Sequence, residues 1–249
     1  MPIHDSKRIE FAIESGNIHI STTTGEYIPA YWSHPVVGDR FPGIALLHDW
    51  WGLTTVHRLL ANFYAHLGYY VIAPDLFNGR TASDPQGALR LMSETETTRY
   101  TAATKAIRVL EHHHRTTHHT ALIGLGAGGS LAFEAAIKRD DLDAVVVYAG
   151  FPQRYLKQLE DCKTPIMAIY GSADPYITTD VLQALRTALT RSPRASEHQV
   201  RVIAGAGHTF FSPQPVPEER EWGKEVINLT LAFLEDYLER PDMRLYTQY

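Results

Sequence analysis

The stretch Ala121-Leu122-Ile123-Gly124-Leu125-Gly126-Ala127-Gly128-Gly129-Ser130 decides the reading of the fold. An apolar run of strand length enters a turn of small residues, and Ser130 to Lys138 beyond it has helical character. The same grammar repeats on both sides of this turn. Strands are predicted at Ile44 to Leu47, Tyr69 to Ala73, Ala121 to Ile123, Ala144 to Tyr148, Pro165 to Tyr170 and Gln199 to Ile203. Between them, Val56, Leu59, Leu60, Phe63 and Leu67 fall on one helical face that stops at Gly68. Pro85 to Glu111 reads as a long helical tract with a break at Thr95 to Thr98, and Thr179 to Leu189 as another helix. A last helix follows Pro217, with Trp222, Val226, Leu229, Phe233 and Tyr237 as its stripe. Apolar strands alternating with amphipathic helices specify an α/β fold with a mostly parallel central sheet and helices on both faces. The first residues differ. Ile9-Phe11-Ile13, Ile18-Ile20 and Tyr27 to Trp32, separated at Ser15-Gly16 and Thr24-Gly25, read as antiparallel N-terminal edge strands.

Composition narrows the function classes. The 249 residues suit one large domain spanning 1-249, and 44% hydrophobic against 20% charged residues suits a chain with a continuous core. A formal charge of -5 speaks against a nucleic-acid or anionic-membrane partner, either of which needs a basic face. The lone cysteine, Cys162, excludes an internal disulfide and reads as packing before a strand. No apolar run reaches membrane-spanning length and the first residues lack a signal-peptide pattern, so the expected location is cytoplasmic.

Three segments fall at the C-terminal ends of predicted strands, where open α/β sheets place their sites. They are the glycine turn around Gly126, the loop Tyr170-Gly171-Ser172-Ala173-Asp174-Pro175, and the loop Gly205-Ala206-Gly207-His208. Turn, acid and histidine in this chain order match the nucleophile, acid and base of α/β-hydrolases.

With these flanks the chain resembles the dienelactone hydrolase family from about Ile9 onward. That family has G-x-C-x-G-G at the nucleophile turn, G-x-x-D at the acid and A-G-x-H-x-F at the histidine. Asp174 and His208 match, with Phe210 as the aromatic two residues on. Asp49-Trp50-Trp51-Gly52 resembles the family's acidic segment after the first core strand, and Pro74 to Arg80 its P-D-L-Y run with a nearby arginine. The resemblance implies an ester or lactone hydrolase acting on a small carboxylate-bearing substrate, without cofactor or metal. It also implies an oxyanion hole at the Trp50 and Ala127 N–H groups and a substrate site with Asp49, Trp51, Arg80 and Phe210. The departure is at the cysteine position, which is Gly126. Natural loss and an introduced substitution both fit this residue.

Without a nucleophile the acyl-enzyme route is closed, leaving water activated by His208. Ser130, Ser172 and Cys162 are poorly placed to substitute. Two other readings stay open: a catalytically silent binding or scaffold protein, and a proton-transfer isomerase or lyase using His208. Gly124, Gly126 and Gly129 also satisfy G-x-G-x-x-G, but no acid ends the following strand, as a dinucleotide site requires. Asp49 equally suits capping the helix near Thr54, and Arg80 equally suits a surface pair with Asp75 or Asp84. Trp50 and Trp51 read as pocket wall and core. His112, His113, His114, His118 and His119 read as a solvated helix end, because adjacent histidines splay around a helix instead of converging on a metal.

Overall fold

The computed structural model describes residues 10–21, 25 and 27–238. Eight strands form one sheet: β1 (Ile13–Ser21), β2 (Tyr27–Pro35), β3 (Phe41–Leu47), β4 (Tyr70–Pro74), β5 (Thr116–Leu125), β6 (Ala144–Tyr148), β7 (Ile166–Gly171) and β8 (Gln199–Ile203). Among the described residues seven α-helices accompany them: α1 (Thr55–His66), α2 (Pro85–Glu94), α3 (Arg99–His112), α4 (Ala127–Lys138), α5 (Leu156–Leu159), α6 (Thr179–Thr190) and α7 (Pro217–Glu235). Sheet order is β1-β2-β4-β3-β5-β6-β7-β8, with β1, β2 and β4 paired antiparallel and the pairs from β4 onward parallel.

Continuous apolar strands follow from burial on both faces. Ala45, Leu47, Ile72, Leu122, Val145, Val147 and Ala168 point into the core under α3, α4 and α6. Their neighbours Ile44, Leu46, Val71, Ile123, Val146 and Ile169 point into the core under α1 and α7. The second face also holds a buried hydroxyl chain, in which Tyr64 meets Tyr148 at 2.8 Å and Tyr148 meets Thr230 at 2.6 Å.

Some boundaries differ from the sequence reading. Ile9 and Thr24 lie outside the described residues. Ser15-Gly16 does not divide two strands, because Ser15 and Gly16 pair with Ser33 and Trp32 in an unbroken ladder that overrides local propensity. The long helical tract breaks where expected, with the Thr95 hydroxyl bonded to the Leu91 carbonyl and the Thr98 hydroxyl to that of Thr95. Leu59 is 56% exposed, since α1 turns His57, Leu60, Ala61 and Tyr64 inward instead. His118 and His119 are not part of a helix end. They lie in the first half of β5, where His119 meets Asp143 at 3.1 Å.

Two histidines, His57 buried and His198 half-buried, give folding stability a pH dependence. His198 accepts the Ile166 N–H at Nδ1 and meets the Ser192 hydroxyl at 2.7 Å through Nε2. Burial pushes it down to about 4, and burial with the nearby His48 pushes His57 down to about 3. The unfolded chain takes these protons near pH 6.5 and the folded chain refuses them. Stability present above pH 6.5 is therefore lost as the pH falls toward the folded-state values, by up to about 1.4 kcal/mol per pH unit for His57 and by less for the solvent-screened His198. Urea unfolding at pH 7, 6 and 5 should show this slope, and His198→Gln should remove one histidine's share. An unchanged slope in that variant would refute the assignment.

Candidate active site

Strand order reverses around β3: the chain moves from β3 out to β4, then returns to place β5 on the other side. The crevice at such a switch point lies beyond the C-terminal ends of β3 and β5, which here carry the loop at Asp49 and the turn at Gly126. The parallel order of β6, β7 and β8 brings three further strand ends to the same rim.

Gly126 has φ 51° and ψ −111°, a left-handed φ with a ψ far from that of the left-handed helix. A side chain there costs about 1–3 kcal/mol of strain, so the turn keeps the sharp posture of a nucleophile elbow while bearing none. Its N–H donates to the Tyr148 carbonyl at 2.8 Å. A Cβ built on Gly126 would lie 3.3 Å from the Asp49 Cβ and 4.0 Å from His208 Nε2.

His208 is oriented from behind. Its Nδ1 lies 2.7 Å from Asp174 Oδ2, and the Asp174 side chain is fully buried. The other oxygen, Oδ1, accepts the N–H groups of Tyr176 at 2.8 Å and Ile177 at 3.3 Å. With Nδ1–H donating its hydrogen bond to the carboxylate, the Nε2 lone pair faces the space over Gly126. Elbow, acid and histidine thus meet although they span more than eighty residues of sequence.

The β3 loop closes the other side. Gly128 approaches its end so closely that a Cβ would fall 2.5 Å from both the Leu47 and His48 carbonyl oxygens. Trp50 is therefore carried close to the start of α4, and among the described residues neither its N–H nor that of Ala127 is taken by a protein acceptor. Fully buried His48 donates from Nδ1 to the Asp49 carbonyl and accepts the Leu76 N–H at Nε2, tying this loop to the one after β4. Asp49 does not cap α1, whose N-cap is Thr54. Its Oδ1 accepts the Trp51 N–H at 2.9 Å, its N–H donates to His57 Nε2, and burial pushes its carboxyl up.

Two sequence-derived site residues have side chains that contact other parts of the protein. Arg80 pairs through Nη1 with Glu94 at 2.5 Å and donates from Nε to the Phe77 carbonyl, so its partner is neither Asp75 nor Asp84. Phe210 is 3% exposed and packs with Tyr148 and Phe211 under α7, because the chain turns inward after His208. The aromatic contacts to His208 come instead from Phe151, 5.5 Å away, and Tyr176, 5.1 Å away. Sequence reasoning missed both, although each follows a strand end that had been recognised. Trp50 and Trp51 are half-buried and meet edge to face at 5.0 Å.

Other potential nucleophiles are committed. The Ser130 hydroxyl accepts the Phe151 N–H and that of Ser172 the Gly205 N–H, while Cys162 is buried against the Ala136 carbonyl. Among the described residues no cluster of ligating side chains could hold a metal, and no helix is long and apolar enough to cross a membrane.

Residues 28–238 match the model of the dienelactone hydrolase family. The "Protein usf" of Aquifex pyrophilus is 26% identical over 212 residues, which cover 79% of this chain and 89% of that protein. A carboxymethylenebutenolidase from Rhodococcus opacus is 26% identical over 213 residues, covering 78% and 81% respectively. Among solved structures, a dienelactone hydrolase-like promiscuous phosphotriesterase from metagenomic libraries superposes with a TM-score of 0.77. It is 16% identical and covers 92% of this chain and all of its own.

Proposed function

This chain belongs to the dienelactone hydrolase family, and on that premise we propose that it cleaves a small, uncharged ester or lactone by direct attack of water, with His208 as general base. One observation carries the reading: His208, braced by Asp174, aims Nε2 at the side-chain space left open by Gly126. Water in that space gives its proton to Nε2 as its oxygen attacks the carbonyl carbon. The N–H groups of Trp50 and Ala127 receive the developing oxyanion. Collapse expels the alkoxide, which takes the proton back from His208. An oxyanion hole and substrate binding alone retain about 10³–10⁴-fold acceleration over water when the nucleophile is missing. Trp50, Trp51, Phe151 and Tyr176 provide apolar walls for the acyl and alkoxy groups.

The expectation of a carboxylate-bearing substrate is not carried forward. Arg80 is engaged by Glu94, and the Asp49 and Asp174 carboxylates lie near the reacting position. Arg80→Ala should change kcat/KM for a neutral ester and for its carboxylate-bearing analogue by less than about twofold, as expected for a solvated ion pair. A selective loss for the anionic analogue would restore Arg80 as a clamp.

The deciding experiment is turnover of an activated aryl ester. His208→Ala should lower kcat/KM by about 10²-fold, the usual contribution of a general base. Full activity in that variant would sink the proposal. Saturable ligand binding without turnover in the unaltered protein would identify a binding protein instead.

A further inference from the structure

In the run Asp49-Trp50-Trp51-Gly52 every main-chain N–H but one has an acceptor. Asp49 donates to His57 Nε2 at 3.3 Å, Trp51 to Asp49 Oδ1 at 2.9 Å, and Gly52 to the Asp49 carbonyl at 3.3 Å. Among the described residues the Trp50 N–H has none, so it is the one donor of this turn that a ligand can take. It shares a planar peptide group with the Asp49 carbonyl, and within that plane the two point opposite ways. Whatever holds the oxygen therefore sets the direction of the N–H. The oxygen is held by His48, whose Nδ1 lies 2.7 Å from it. His48 donates there in one tautomer only: the Leu76 N–H points at Nε2 from 2.9 Å, so that nitrogen accepts and the single ring proton of the neutral imidazole sits on Nδ1. The Asp75 carboxylate, 3.7 Å from Nε2, is beyond hydrogen-bond reach, and its Oδ1 takes the Phe77 N–H. The ring is fully buried, with Phe77 edge to face at 4.9 Å and His57 at 5.9 Å. Hydrogen bonds from His48 and Gly52 onto the Asp49 oxygen also polarise the peptide group and strengthen its N–H as a donor.

We propose that His48 is a positioning residue for ester cleavage: through the Asp49–Trp50 peptide group it aims and polarises the Trp50 N–H toward the oxyanion, and the Leu76 N–H of the loop after β4 fixes the tautomer that lets it do so. His48 itself never touches the substrate. The inference rests on the proposed hydrolysis with the Trp50 N–H as an oxyanion donor. Negative charge reaches that oxygen only as the transition state is approached, so removing the His48 donor lowers kcat and leaves KM nearly unchanged.

The two ring nitrogens can be replaced one at a time. His48→Asn keeps an amide N–H near the Nδ1 position and so a donor to the Asp49 carbonyl, whereas His48→Gln keeps an amide oxygen near the Nε2 position and so an acceptor for the Leu76 N–H. With phenyl acetate as substrate, His48→Gln should lower kcat by about 10²-fold, the scale of losing one oxyanion donor, with KM within about twofold. His48→Asn should recover about tenfold or more of that loss, although urea unfolding shows both variants destabilised. The unaltered protein gives a reading that needs no variant to fold. Phenyl methylphosphonate, a tetrahedral anion shaped like the hydrolytic transition state, should move the Trp50 amide proton downfield in a proton–nitrogen correlation spectrum and leave the Trp51 amide in place. The histidine nitrogen spectrum should show His48 protonated at Nδ1 alone. A folded His48→Gln protein with unchanged kcat, equal kcat losses in the two variants, protonation at Nε2, or a Trp50 amide indifferent to the phosphonate each overturns the role of His48 and leaves His208-dependent hydrolysis standing. Absence of His208-dependent cleavage in the unaltered protein overturns both.

Discussion

Gly126→Cys is expected to raise kcat/KM for activated aryl esters by about 10³-fold or more, the scale on which restoring a missing nucleophile acts. A side chain at φ 51° and ψ −111° costs about 1–3 kcal/mol of strain, taken from fold stability, while the turn already holds the posture that the nucleophile needs. The Cβ position lies 4.0 Å from His208 Nε2, so a sulfur bonded to it can reach the imidazole. It would also stand at the N-terminus of α4. A neighbouring imidazolium and a helix N-terminus both favour the thiolate. Rapid mixing should show a burst of aryl alcohol equal to the enzyme concentration as the acyl-enzyme accumulates. Adding His208→Ala to the variant should remove both burst and turnover. A folded Gly126→Cys protein with neither would show that the surrounding site has moved away from acyl transfer.

Gly128→Ala is expected to destabilise the fold by about 3 kcal/mol, at the upper end for overpacking, since its methyl group would meet two backbone oxygens instead of a pliable side chain. Relief requires α4 to retreat from the end of β3. That movement separates Ala127 from Trp50, so the loss should extend to catalysis. In the Gly126→Cys background, the added change should lower the acylation rate by about 10²-fold, the scale of losing one oxyanion donor. Urea denaturation and burst kinetics read the two effects separately. Stability within about 0.5 kcal/mol of the parent, the range of ordinary surface changes, would show that the helix and strand are less tightly apposed than described.

Much of this architecture was legible in the sequence because burial on both sheet faces leaves uninterrupted apolar runs, and β6 and β8 match their predicted bounds. The positions of Asp174 and His208 were legible too, since chain order and strand ends together specify where they meet. Directions of long side chains were not. Arg80 could be placed after β4, but its choice of Glu94 depends on how α2 folds back over the loop. Phe210 carried the family's aromatic pattern, yet its inward turn is set by Tyr148 and α7, elements remote in sequence. The early start of β5 was hidden by Thr116 to His119, polar residues made strand-like by the neighbouring ladder. Four-residue α5 is too short for any periodic signal.

The buried hydroxyls behind the elbow can order their protons in only one way. Thr230 donates to the Val226 carbonyl, so its oxygen must accept from Tyr148, whose oxygen in turn accepts from Tyr64. The wire is polar, and its direction is dictated at its far end by a main-chain carbonyl of α7. Removing the Tyr64 hydroxyl deletes a terminal donor and leaves the remaining links satisfied. Removing the Thr230 hydroxyl strands the Tyr148 proton in the interior. Tyr148 is also the residue whose carbonyl holds the Gly126 N–H. The glycine turn is thus tied, through Tyr148 and a one-way chain of hydrogen bonds, to a helix on the back of the sheet.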